Sequence, residues 1–172
     1  WTGGATAGGV ITQQRSGGSG GGATAGGATL SQLAAIDPGR SKCGLVLADS
    51  SSREVLAAGV LPPQRCQELL LEWSRSPACS TVLLGDGTGS QSWRQWLSTH
   101  QLPALLIPEA GTTLAARERY WQLEPARGWR RWLPRGLRIP PRDVDDVVAQ
   151  LLLERHLGTL LERPDTLRLL SR

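Results

Sequence analysis

Six carboxylates in this sequence stand where chemistry could use them. Asp37 ends the apolar run LAAID just before a Pro-Gly turn, and Asp86 sits in the Gly-Asp-Gly that closes STVLLGDG. Glu109 ends LPALLIPE, while Asp143, Asp145 and Asp146 lie together in RDVDD ahead of a long apolar stretch. In an open α/β sheet the working site lies beyond the carboxyl ends of the parallel strands. Asp37, Asp86 and Glu109 each close a strand-like run, and a helix starting at RDVDD could bring its own acids to the same mouth. No Lys or His is expected there to compensate them. Like charges at close range are unfavourable unless cations neutralise them, and carboxylate oxygens are the hard ligands that Mg²⁺ and Mn²⁺ prefer. Two such ions about 3.5–4 Å apart could activate water and stabilise a leaving oxygen in phosphodiester cleavage. Each acid also has an ordinary use, in a turn or against a helix macrodipole. The signal is their arrangement and not any one of them.

Other chemistries are poorly served. The three cysteines, Cys43, Cys66 and Cys79, show no CxxC spacing and fit thiols in a reducing compartment. With only His100 and His156, a His-rich metal site is not expected, and any metal would be held by carboxylates. GDGTGSQ lacks the Lys-Ser/Thr ending of a phosphate-binding P-loop. No apolar run approaches the roughly 18 residues of a membrane span, and no secretory leader is evident. The expectation is a cytoplasmic protein without a membrane partner.

The elements that must position the acids can be read from periodicity. Residues 1–30 are Gly, Ala, Ser and Thr with an approximate GGATAGG repeat, and read as a flexible leader that cannot offset its ordering entropy. The domain is expected over residues 31–163, with a tail at 164–172 that is a short helix or a loose end. Leu33 to Asp37, Cys43 to Asp49 and Arg53 to Leu61 read as three strands of an antiparallel meander, joined by turn-prone PGRSK and SSS. Pro62 and Pro63 open a helix with Cys66, Leu69, Leu70 and Trp73 on its core face. A strand at Ser80 to Gly87, a helix near Gln91 to His100, a strand at Leu102 to Glu109 and a helix at Thr112 to Leu123, capped by Thr112 or Thr113, follow. A last helix is expected from just after Pro141 to about Glu162, with Val144, Val147, Val148, Leu151, Leu152 and Leu157 inside. Alternating strands and helices imply parallel strands with helices on both faces. The fold class is therefore α/β: a mixed five-stranded sheet, three antiparallel strands then parallel ones, flanked by helices. If the chain forms a homodimer, the last helix is the expected interface, although the core explains its apolar stripe equally well.

The net charge is +4, and its distribution says more. Between Arg119 and Arg142 there are seven arginines against one acid, Glu124, a local charge of +6. Trp121, Trp129 and Trp132 are interleaved with them. Arginine suits phosphates and stacks on rings, so the segment reads as a nucleic-acid surface built from Arg127, Arg130, Arg131, Arg135, Trp129 and Trp132. Arg40 and Lys42, in the turn after Asp37, extend it. The competing expectation is a solvated loop whose tryptophans anchor the core.

Several segments resemble one known family. IDPGRSKCGLVLAD is similar to the first strand-turn-strand of the RuvC/YqgF branch of the ribonuclease H-like superfamily: a hydrophobic strand, Asp-Pro-Gly, a polar loop and a Gly-led second strand. VLLGDGTGSQ resembles its Gly-rich fourth-strand loop. LLIPEAGTTLAARERY resembles the segment around that family's Asp-Glu-Arg-(Leu/Phe)-Thr-Thr motif, with Pro108 and Ala110 where the family has Asp and Arg. DVDDVVAQLLL resembles its Val-Asp-x-x-Ala-Ala helix, with Val148 in place of the first Ala. The resemblance covers about Leu33 to Leu153. It implies a ribonuclease H-like fold and an Mg²⁺- or Mn²⁺-dependent nuclease acting on structured nucleic acid, either an rRNA precursor or branched DNA. It also implies Asp37, Glu109 and Asp145 as the metal-binding catalytic triad. The resolvase branch instead uses acids three apart on the last helix, a register that Asp143 and Asp146 satisfy. The alternative is a catalytically lapsed relative that binds RNA or DNA through the Arg/Trp segment.

Overall fold

Alternation along the first strands decides how the chain layers. The computed structural model describes residues 31–76 and 79–171, apart from the side chains of Ser80 and Arg135; the leader expected over residues 1–30 lies outside the described residues. Strands β1 (Gln32–Asp37), β2 (Cys43–Asp49) and β3 (Glu54–Leu61) pair as an antiparallel meander. Ala34, Ile36, Leu45 and Leu47 turn to one face, while Ala35, Val46 and Ala48 turn to the other, as the two-residue period of a strand requires. Both faces are apolar, so both must be covered.

Helix α1 (Pro63–Ser74) covers the first face with Cys66, Leu69, Leu70 and Trp73, the stripe read from the sequence. Strand β4 (Cys79–Gly85) lies parallel to β1, and helix α2 (Ser90–Thr99) joins the same face through Trp93 and Leu97. Strand β5 (Ala104–Ile107) lies parallel to β4. It is only four residues long because Pro103 and Pro108 bracket it. Helix α3 (Thr112–Leu123) packs through Ala116 and Tyr120 on Val147 and Val148 of α4 (Asp145–Leu157). Helix α4 covers the second face with Ala149, Leu152 and Leu153. The result is an α/β mixed sheet flanked by four helices.

Four expectations are corrected. The sheet has six strands, not five, in the order β5-β4-β1-β2-β3-β6. The tail is neither helical nor loose: β6 (Arg168–Leu169) adds to β3 in parallel, and the Leu170 amide donates to the Ala58 carbonyl at 2.9 Å. Helix α4 starts at Asp145, leaving Asp143 outside it, and stops at Leu157 because Gly158 takes the left-handed C-cap conformation at φ 64. Helix α3 is entered through Gly111 at φ 74 with no side-chain cap, so neither Thr112 nor Thr113 caps it.

The α4 helix is also less apolar in function than its sequence suggests. Asp146, Gln150 and Glu154 recur one turn apart and are all buried. Arginines from outside the helix meet them: Arg142 and Arg163 pair with Asp146 at 2.7 and 2.9 Å, and Arg119 pairs with Glu154 at 2.7 Å. The helix expected to offer a homodimer interface is thus enclosed between the sheet and α3. Among the described residues no helix is long and apolar enough to cross a membrane.

Candidate active site

The carboxyl ends of β1, β4 and β5 open on the same edge of the sheet, since the three strands run parallel. Asp37 is the last residue of β1. Opposite it in the antiparallel register stands Gly44 of β2. A Cβ at Gly44 would overlap the main-chain carbonyl of Asp145. The missing side chain therefore lets the first turn of α4 lie against the sheet, and that approach brings Asp145 beside Asp37. The Gly-led second strand has a positional reason: it makes room for a helix end.

Glu109 reaches the same place from the other side. It follows β5 and its carboxylate lies over Gly85 and Gly87, where a Cβ at either would collide with it. Its backbone is held on several sides. The Glu109 amide donates to Asp86 Oδ1 at 2.7 Å, and its carbonyl accepts from the Thr112 amide at 2.8 Å and from Thr112 Oγ1 at 2.7 Å. Arg155, near the end of α4, donates to the carbonyls of Pro108 and Ala110 at 2.8 and 3.0 Å. Asp86 is thus a brace for Glu109, and Arg155 is a positioning residue that no sequence pattern marked.

Electrostatics follow from this crowding. The Asp37 carboxyl is pushed up to about 7 by burial, by the neighbouring charges of Glu109 and Asp145 and by a hydrogen bond with Glu109. Burial also raises Glu109 and Asp145 above the ordinary carboxylate range, against main-chain support from Gly87 for the first and the Lys42 charge for the second. Burial and the neighbouring acids thus hold Asp37 toward its protonated form, and its hydrogen bond with Glu109 favours the same form. Glu109 Oε1 is buried and accepts from no N–H or hydroxyl among the described residues, so the Asp37 carboxyl or a group not of this chain must satisfy it.

The other acids divide. Asp145 and Asp143 both meet Lys42, whose Nζ lies 3.5 and 2.6 Å from them. This corrects the expectation that no Lys compensates the acids, and it draws Lys42 away from a nucleic-acid role. Asp146 is 3% exposed and committed to Arg142 and Arg163, so the pairing of Asp143 with Asp146 expected for one register does not face Asp37. Among the described residues no group of three or more His, Cys, Asp and Glu side chains is assembled to hold a metal ion, and Asp145 pairs with Lys42.

The basic segment is sorted in the same way. It forms two short 3-10 helices, Gly128–Trp132 and Arg135–Leu137. Arg119, Arg138 and Arg142 are structural: Arg138 donates to the carbonyls of Leu133 and Arg131, and Arg142 bridges Glu124 and Asp146. Arg127, Arg130 and Arg131 make no ion pair among the described residues, and the Arg135 side chain lies outside them. Trp121 is half-buried and donates to the Arg138 carbonyl, but Trp129 and Trp132 are exposed, so they do not anchor the core. Arg40, exposed in the β1–β2 turn, lines a separate cleft with Thr88 and Gly89.

No protein-family model matches the chain, and no curated protein matches it.

Proposed function

We propose that this chain is a metal-dependent nuclease of ribonuclease H-like fold, cleaving phosphodiester bonds in structured nucleic acid, an rRNA precursor or branched DNA. One observation carries the reading. Asp37 and Glu109, from the ends of two parallel strands separated by β4, face each other over glycines that clear the space, with Asp145 brought alongside by Gly44.

Carboxylate oxygens are the donors a hard divalent cation such as Mg²⁺ or Mn²⁺ takes, and Asp37 and Glu109 supply them, although with Lys42 on Asp145 the described residues assemble no set of three. The buried Glu109 Oε1, which accepts from no N–H or hydroxyl among the described residues, is the observation that favours such a cation. Asp37 and Glu109 would hold it, joined by Asp145. A bound divalent ion there supplies Lewis acidity and neutralises phosphate charge. The chain itself does the rest. Gly85 and Gly87 keep the Glu109 carboxylate at the sheet edge, and Asp86, Thr112 and Arg155 fix the backbone from which it projects. Asp37, held toward its protonated form by burial and its acidic neighbours, would give up that proton on holding the ion. Arg127, Arg130 and Arg131, on a turn without acids, are available to phosphates.

A second reading has one observation in its favour: Lys42 places a fixed positive charge on Asp143 and Asp145. A resident ammonium in place of a cation is what a lapsed, purely nucleic-acid-binding relative would carry. Cleavage of a labelled structured RNA and of a four-way DNA junction, with Mg²⁺ or Mn²⁺, compared between wild type and Asp37→Asn, tests both. Metal-dependent cleavage lost in the variant supports the nuclease. Salt-sensitive binding without cleavage in either protein replaces it with the binding module.

A further inference from the structure

Trp129 and Trp132 are the two most exposed aromatic rings among the described residues, 67% and 80% accessible. They lie three apart in one 3-10 helix, Gly128–Trp132. In that geometry positions i and i+3 eclipse, so the two residues sit on one side of the turn, their backbones about 6 Å apart along the axis at about 2 Å per residue. Each ring is already engaged on one side by an adjacent arginine: Arg130 lies 5.4 Å from the Trp129 centroid and Arg131 lies 5.3 Å from that of Trp132. The turn is held from below. Arg138 donates to the carbonyls of Arg131 and Leu133 at 2.9 Å each, and Trp121 donates to the Arg138 carbonyl at 3.2 Å. Two large apolar rings are thus presented to solvent on a braced support, each with a guanidinium beside it.

We propose that this turn is a stacking platform for unpaired nucleotides. Each tryptophan takes one base on its open side, while Arg130 and Arg131 meet the flanking phosphates. The occupant is a single strand because bases in a duplex have no face to offer, whereas splayed bases stack readily on aromatic rings. The charge selects a polyanion: Arg127, Arg130 and Arg131 make no ion pair among the described residues, while Arg119 and Arg142 are committed to acids of the fold. Beside the turn lies a cleft of about 360 Å³ lined by Trp121, Arg127 and Arg130 and also by Glu124, whose charge Arg142 meets. An anionic membrane would also attract Trp and Arg. However, interfacial membrane binding favours a long amphipathic helix, and this segment is two short turns broken by Pro134. The inference rests on the nucleic-acid half of the reading above and not on cleavage. For the nuclease it specifies the substrate: a structured nucleic acid with a single-stranded flank.

The test uses the full chain with a fluorescein-labelled pyrimidine strand of about 12 nucleotides, within the range of single-strand site sizes, as DNA and RNA, and with the same strand in duplex. Anisotropy is read for wild type, Trp129→Ala, Trp132→Ala, the two Trp→Phe variants and Arg130→Ala. Expected is tighter binding of the single strand than of the duplex, and a loss of about fivefold to a hundredfold for each Trp→Ala. Phe should restore most of that loss because it keeps a stacking face. The salt slope should be unchanged in the tryptophan variants and shallower by about 0.7 in Arg130→Ala. Circular dichroism confirms that these surface variants fold. Equal affinity for strand and duplex, or single-strand affinity within twofold of wild type in both Trp→Ala variants, overturns the platform while leaving the nuclease reading to its own cleavage assay. Oligonucleotide binding that survives Trp→Ala, while binding to phosphatidylglycerol vesicles is lost, overturns it in favour of a lipid surface.

Discussion

Replacing Asp37 by Asn should make the fold more stable while removing the activity of the site. The Asp37 carboxyl stands at about 7 and not at 3.8 because burial comes first and the charges of Glu109 and Asp145 add to it. A folded carboxyl with a raised pKa holds a proton that the unfolded chain has already released. Stability therefore falls as pH rises from about 4 to about 7, and the full cost is present above that. The interval from 3.8 to about 7 corresponds to about 4 kcal/mol at 1.36 kcal/mol per pH unit. Asp37 is only partly buried, and solvent screening reduces the figure to about 2 kcal/mol. Asn keeps the shape and can donate to Glu109 without carrying charge. At about pH 8 it should raise Tm by about 6 °C for a domain of this size, and at about pH 5 the gain should fall to about a third. Thermal melts followed by circular dichroism at both pH values read this directly. Added Mg²⁺ should raise the wild-type Tm at the higher pH and leave the variant unmoved. An Asn variant no more stable than wild type at about pH 8, or equally stabilised at both, would refute the claim that Asp37 is held against its charge.

Further predictions concern the site and the buried polar row of α4. Divalent-ion affinity measured by calorimetry should climb about tenfold per pH unit below about 7 and level off above it, since binding must displace the Asp37 proton. Lys42→Ala should tighten that affinity by freeing Asp143 and Asp145; weaker binding would show that Lys42 supports the cation and does not compete with it. Gly44→Ala should lower stability by about 1–3 kcal/mol because its Cβ meets the Asp145 main chain, whereas Gly85→Ala meets only the end of the Glu109 side chain and should leave the melt near wild type while weakening Mn²⁺ binding. Glu154→Ala should cost about 3–5 kcal/mol in a denaturant titration, because Arg119, Gln150 and the Leu161 amide all donate to that buried carboxylate.

The convergence of Asp37 and Glu109 was legible because each closes an apolar run of strand length, and parallel strands place such ends together. The face of α1 was legible for a similar reason: one stripe of Cys66, Leu69, Leu70 and Trp73 admits one packing. Helix α4 misled, since its long apolar run hides Asp146, Gln150 and Glu154, whose arginine partners come from elsewhere in the chain. Lys42 was visible as a charge in a turn, but nothing local shows that the turn folds back over the start of α4. The tail was unreadable for the same reason: two residues of strand carry no periodicity, and β6 exists only because β3 offers a free edge.

What this sequence determines alone is what repeats locally: the two-residue alternation that makes β1 to β3, the Pro-bounded run of β5, the core stripe of α1, and the glycines that leave room beside the acids. What only the tertiary structure decides is which charges meet. Whether Asp145 faces Asp37 while Asp146 faces Arg163, whether Lys42 or solvent neutralises Asp143, and whether Trp129 and Trp132 are core or surface all depend on contacts between residues distant in the chain. Local propensity shapes each element, but a charge acts over a few ångströms in any direction, so its partner is set by how the elements pack.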